Sequence, residues 1–189
     1  MSMKRTILTL LCLAACATNA CAAVQSDLEY QSYGAHAERG KSLYQKLAAA
    51  SPIHENGRVF LGHTRDDIHW QLHWHDTGNG MCRVDDVGIT LHTVILLPDL
   101  AGIDPDRQAE YTRFYLALRI HEYGHYRIEL EMADTIDKAL TALPEHPCNS
   151  IEHAVNERGQ ELIGEFARRE QQYDAETDHG RTQGAFLKN

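Results

Sequence analysis

The chain has 189 residues, 43% of them hydrophobic, enough for one domain with a sizeable core. Its net charge of −9 argues against nucleic acid or anionic lipid as the main partner. Beyond the N-terminal region no stretch is long and apolar enough to span a bilayer, so no transmembrane segment is expected.

The N-terminus reads as an export signal. Lys4 and Arg5 precede an apolar run from Ile7 to Ala15, too short for a span and shaped like a secretory leader. Two cleavage readings stand. Ala20-Cys21-Ala22 has the small-x-small form of a signal-peptidase site, making 1–22 the leader and 23–189 a single domain. Leu13-Ala14-Ala15-Cys16 has the form of a lipoprotein box, with a leader of 1–15 and a lipid anchor on Cys16. The first cut leaves Cys82 and Cys148 as an even pair. Either cut places the protein in the periplasm or outside the cell. There an oxidising milieu predicts a Cys82–Cys148 disulfide.

A first strand is expected around Leu28 to Tyr33, then a helix from Ala35 to Ala50 stopped by Ser51-Pro52. Gly57 to His63 reads as a short strand or loop. From Asp66 to His75, Ile68, Trp70, Leu72 and Trp74 alternate with polar residues, the period of a half-buried strand. Turn residues 76–80 lead to a second strand, Arg83 to Leu97, with Val87, Ile89, Leu91, Thr93 and Ile95 on one face and Pro98 as its end. The two form an antiparallel hairpin. Asp104-Pro105 starts a long helix that runs to Pro144. A last helix is expected from Ile151 to about Gln172, followed by an irregular tail.

The middle of the long helix carries His121-Glu122-Tyr123-Gly124-His125, the H-E-x-x-H spacing of zinc peptidases. Residues four apart on a helix lie one above the other, so both imidazoles can reach one metal. Glu122 sits about 100° around the axis, where it can serve a water as general base. With 12 histidines in the chain, the bare motif needs its context.

A catalytic zinc needs a third protein ligand and an open position. The metzincin extension would require glycine at 128 and histidine at 131, where this chain has Ile128 and Glu131. Glu157 on the last helix and His179 in the tail remain as candidates. Tyr173 is a candidate donor to a developing oxyanion, and Glu129 and Asp178 are candidate partners for the imidazoles. His69, His73 and His75 offer a weaker second metal site or a substrate-binding strand.

Several features in order carry a resemblance. They are Ile68-His69-Trp70, Cys82 ahead of an apolar strand ending in Leu97-Pro98, the H-E-x-x-H segment, Cys148, and Tyr173-Asp174…Thr177-Asp178-His179-Gly180. From about residue 58 onward the chain resembles a family of predicted secreted bacterial zinc-dependent proteases, domain-of-unknown-function family 922. Both its signature blocks, H-E-x-x-H and Y-D-x-x-T-x-H-G, are matched. The resemblance implies a zincin-like metal site that the second block completes, with His121, His125 and His179 holding Zn²⁺.

The expectation is therefore an α+β, zincin-like fold: a small antiparallel sheet packed on the long helix and a second C-terminal helix. The expected function is a secreted zinc-dependent hydrolase acting on a peptide or protein substrate, with Glu122 and Tyr173 as catalytic residues. The alternative is a non-catalytic envelope protein whose zinc is structural or stored.

Overall fold

The computed structural model describes residues 24–36 and 40–188. The expected leader, its cleavage sites and Cys16 lie outside them. In chain order the elements are β1 (Gln25–His36), α1 (Leu43–Ala50), β2 (His54–Glu55), β3 (Arg58–Val59), β4 (His63–Gly78), β5 (Met81–Ala101), α2 (Pro105–Thr141), β6 (His146–Pro147), α3 (Ile151–Thr177) and a 3-10 turn (Arg181–Gln183).

The hairpin is the centre of the sheet. β4 and β5 pair antiparallel from His63↔Leu96 to Gly78↔Met81, turning through Asn79 and Gly80 at positive φ. The alternation read from the sequence is kept: Val87, Ile89, Leu91, Thr93 and Ile95 are all buried. A register shift between His73 and Trp74 breaks the pattern in β4. Ile68, Trp70 and Leu72 pack on the core, while Trp74 is 38% exposed.

The sheet is mixed, not antiparallel. β1 lies parallel to β5 on its other side, from Gln25↔Thr90 to His36↔Ala101. Two further expectations change with it. Residues 35 and 36 belong to β1, so the first helix is shorter and begins after Ser42, whose side chain forms a capping box with Gln45. Pro98 does not end β5, because β4 has stopped at its Leu96 pairing and only β1 remains as a neighbour.

Two apolar clusters fill the space beneath the sheet. One joins Ile95, Leu97, Leu43 and Leu47 to Phe114 and Leu118 on α2. The other joins Val87, Ile89 and Leu91 to Met132 and Ile136 on α2 and to Val155, Leu162 and Phe166 on α3. Between Leu118 and Met132 the buried face of α2 turns polar: His121, Glu122, His125 and Glu129 are all less than 10% exposed. Four buried polar groups in succession are costly unless each is partnered. They mark the site.

The Cys82–Cys148 disulfide is present, with Cα atoms 4.9 Å apart. It fastens the approach to α3 onto the start of β5, where β6 also pairs. Trp70 anchors the other side of α3, donating to Asn156 Oδ1 (2.9 Å) and lying flush against Gly159, where a Cβ would approach the indole to 2.8 Å. Among the described residues no helix is long and apolar enough to cross a membrane.

Candidate metal centre

α3 runs five residues further than the sequence pattern predicted, to Thr177. The tail therefore begins as helix, and its last turns lie over the H-E-x-x-H segment. Gly124 makes this close approach feasible: a Cβ there would come within 2.0 Å of the Tyr173 hydroxyl.

Asp174 is the consequence. Its Oδ1 stands 3.1 Å from His121 Nε2 and 3.1 Å from His125 Nε2. The three side chains are the one metal-capable cluster found among the described residues, their ligand atoms all within 4.8 Å of one another. A tetrahedron on zinc bonds of roughly 2.0–2.1 Å has edges of about 3.4 Å, and the two histidine–carboxylate separations lie close to that.

The ring orientations fit as well. His121 Nδ1 faces Gln183 Oε1 at 3.1 Å, and His125 Nδ1 faces Glu170 Oε2. Each Nδ1–H has an acceptor, which turns each Nε2 lone pair towards the shared position, as outer partners of metal-binding imidazoles do. Gln183 and Glu170 take the places that the sequence reading offered to Asp178 and Glu129. Asp178 instead sits 3.5 Å from Arg181. Glu129 accepts from Thr93 at 2.5 Å.

Without an ion, protons hold the cluster together. Burial opposes a charge on His125, but hydrogen bonds to Asp174 and Glu170 outweigh it and push the imidazole up to about 10. Burial would raise Asp174, yet the hydrogen bonds from His121 and His125 win and hold it well below the usual carboxylate range. Glu122 is buried at 4% exposure and its carboxyl is raised by that burial, against the opposing pull of His121 and Thr64.

Glu122 is clamped from the sheet side. Thr64 Oγ1 lies 2.8 Å from Glu122 Oε2 and 3.0 Å from its backbone oxygen. The strand passes so near that a Cβ on Gly62 would come within 2.5 Å of Glu122 Oε1. Outside lies an open cleft of about 920 Å³ that reaches His121, Glu122, His125 and Asp174. Phe60 and Leu61 line one side of it, Phe186 and Leu187 another.

The remaining residues of the second block fall into place around this centre. Tyr173 stacks on His121, centroids 5.1 Å apart, and its hydroxyl faces the His121 carbonyl (3.2 Å) and accepts from Gln183 Nε2 (3.0 Å). In this geometry the hydroxyl, read from the sequence as a candidate oxyanion donor, is directed at the backbone of α2. Thr177 donates to the Tyr173 carbonyl and accepts from Gly180 N. Asp178, His179 and Gly180 take successive left-handed conformations that reverse the chain. Gly180 is required twice over, by its φ of 80° and because a Cβ would meet His121 Cγ at 2.8 Å.

His179 stands outside the cluster. Its Nδ1 is 3.4 Å from the other oxygen of Asp174, and its ring leans on Phe60. Glu157 is exposed and lies 17 residues before Asp174, roughly 25 Å away along the helix axis. The sequence reading missed Asp174, Glu170 and Gln183. A signal for the first two was there: the buried row Leu162, Phe166 continues at the same spacing of four through Glu170 and Asp174.

No curated protein and no solved structure matches the chain. A family model described as "Bacterial protein of unknown function (DUF922)" matches residues 30–180, and the chain belongs to that family.

Proposed function

We propose that the protein is an exported zinc-dependent hydrolase, most simply a peptidase, in which His121, His125 and Asp174 hold the ion. The observation that carries this reading is the convergence of both Nε2 atoms on one oxygen of Asp174 beside a buried Glu122, in an open cleft. Asp174 replaces His179 as third ligand in this reading. His179 positions Asp174 through its second oxygen, which favours one carboxylate rotamer.

Zinc, when bound, supplies a Lewis acid for a carbonyl and lowers the pKa of water. The chain's own residues do the rest. Glu122 takes the proton of the attacking water and delivers it to the leaving amine, a task suited to a carboxylate whose basicity burial has raised. Thr64 fixes one oxygen of Glu122, so the other is free for the proton. Glu170 and Gln183 hold the imidazole tautomers.

Zinc content and turnover of a peptide library test the assignment together. Glu122→Gln should keep stoichiometric zinc and lose activity by on the order of 10³-fold or more. Asp174→Ala should lose zinc outright, whereas His179→Ala should weaken zinc affinity by about 10–100-fold. Full zinc retention in Asp174→Ala would refute the ligand set. A parent protein that binds zinc tightly yet turns over no peptide would instead favour the non-catalytic envelope role.

A further inference from the structure

Among the described residues, five of the seven exposed large apolar side chains gather on one face. Leu116, Ile120 and Tyr123 are 50%, 65% and 43% exposed and recur at i, i+4 and i+7 on the outer side of α2. Tyr30 and Phe186, each 42% exposed, flank that stripe. They are joined to it by arginines: Arg119 lies over the Tyr30 ring at 4.9 Å and Arg113 over the Phe186 ring at 4.9 Å.

On the α2 part of this face the charge is of one sign. Between residues 111 and 128 of α2 the exposed charged residues are Arg113, Arg119 and Arg127, and the sole acid, Glu122, is buried. Among the described residues no carboxylate forms an ion pair with Arg113 or Arg119. Arg113 donates instead to the carbonyls of Gly184 and Phe186, which leaves its charge uncompensated. Glu131, one turn beyond Arg127, is already paired with Arg169.

We propose that this face of α2 docks the protein onto a phospholipid surface. A convex helical ridge with aliphatic side chains at its crest, aromatic rings at its flanks and arginines between them matches the boundary between acyl chains and headgroups. Guanidinium groups pair well with headgroup phosphates. A protein partner would need a groove shaped to this ridge, and a second copy would bring six arginines together. The net charge of −9 does not prevent contact, because at physiological salt a charge is felt over only about 8 Å. Phe186 also lines the cleft, so docking sets the cleft mouth beside the membrane.

The test is co-sedimentation of the purified protein with phosphatidylglycerol–phosphatidylethanolamine vesicles and with phosphatidylcholine vesicles. Cys16→Ser is used throughout so that no acyl chain contributes. The parent should bind, and more tightly to the anionic vesicles by about tenfold. The double change Leu116→Ser, Ile120→Ser should weaken binding to both by at least about tenfold. Arg119→Gln should weaken it mainly on the anionic set. An Ile120→Trp variant should shift its emission to the blue on vesicle addition. Absence of binding by the parent overturns the proposal, as does binding that survives the double change or a tryptophan that stays solvated. Self-association that the double change abolishes, without vesicle binding, would identify a second copy as the occupant instead. Neither metal nor substrate enters these measurements, so their failure leaves the zinc reading untouched.

Discussion

At the scale of single residues, the proposed metal site would trade protons for an ion. His125 is pushed up to about 10 by its two carboxylate partners, so at neutral pH the ion-free site carries a proton that a metal must displace. Zinc affinity should therefore climb close to tenfold per pH unit between about pH 7 and 9, read by competition with a chelator of known pH dependence. A flat profile would mean that His125 is already neutral. Tyr173 makes a second test at this scale. With its hydroxyl held by the His121 carbonyl and Gln183, Tyr173→Phe keeps the ring stack and should change kcat by less than about tenfold. A loss of 10²-fold or more would restore an oxyanion role.

At the scale of elements, the contrast between what the sequence disclosed and what it hid has a physical cause. The β4–β5 hairpin and the placement of His121, Glu122 and His125 on one helix follow from periodicity, which is a local property. Leu28 to Tyr33 reads as a first strand, but its full length and its parallel pairing with β5 were hidden, because an edge position leaves most of its residues exposed, without the alternation of a half-buried strand. The extent of α3 was hidden because its last turns half-bury carboxylates and bury a threonine where the eye expects aliphatics. Their burial is stabilised by the histidines across the gap, and that is tertiary information. The disulfide was legible from the cysteine count taken together with the export signal. It closes a loop of 66 residues containing α2, so reducing it should cost up to about 4 kcal/mol by the chain-entropy argument. Denaturation with and without reductant measures this. A loss below about 1 kcal/mol would mean that β6 and Trp70 suffice to hold α3.

Across the whole molecule, the site occupies the seam between two apolar clusters, and its charges set how stability responds to pH. Glu129 is pushed up to about 7, by burial first and then by Asp66 and Glu170, against a lowering hydrogen bond from Thr93. A carboxyl whose folded pKa lies above its unfolded value favours the fold when protonated. Its contribution is full below about pH 4.5 and lost as pH rises through 7. Asp174 behaves oppositely: its depressed pKa adds stability above its unfolded value, lost as pH falls. Ion-free protein should thus be destabilised between pH 5 and 7 by on the order of 2 kcal/mol. Glu129→Gln should flatten that limb while leaving the acid limb in place. Urea titrations across the range decide it, and an unchanged limb in the variant would assign the effect elsewhere.

The closing turn from Asp178 to Gly180 has a further meaning in time. The two histidines are synthesised about fifty residues before Asp174, and Gln183 follows later still. A chain emerging N-terminus first presents both histidines before the carboxylate that lies between them. Until then the partners that fix the tautomers of the two imidazoles are missing. On the proposed reading, competence for zinc waits for the end of α3, which is synthesised after the residues of the sheet and of α2.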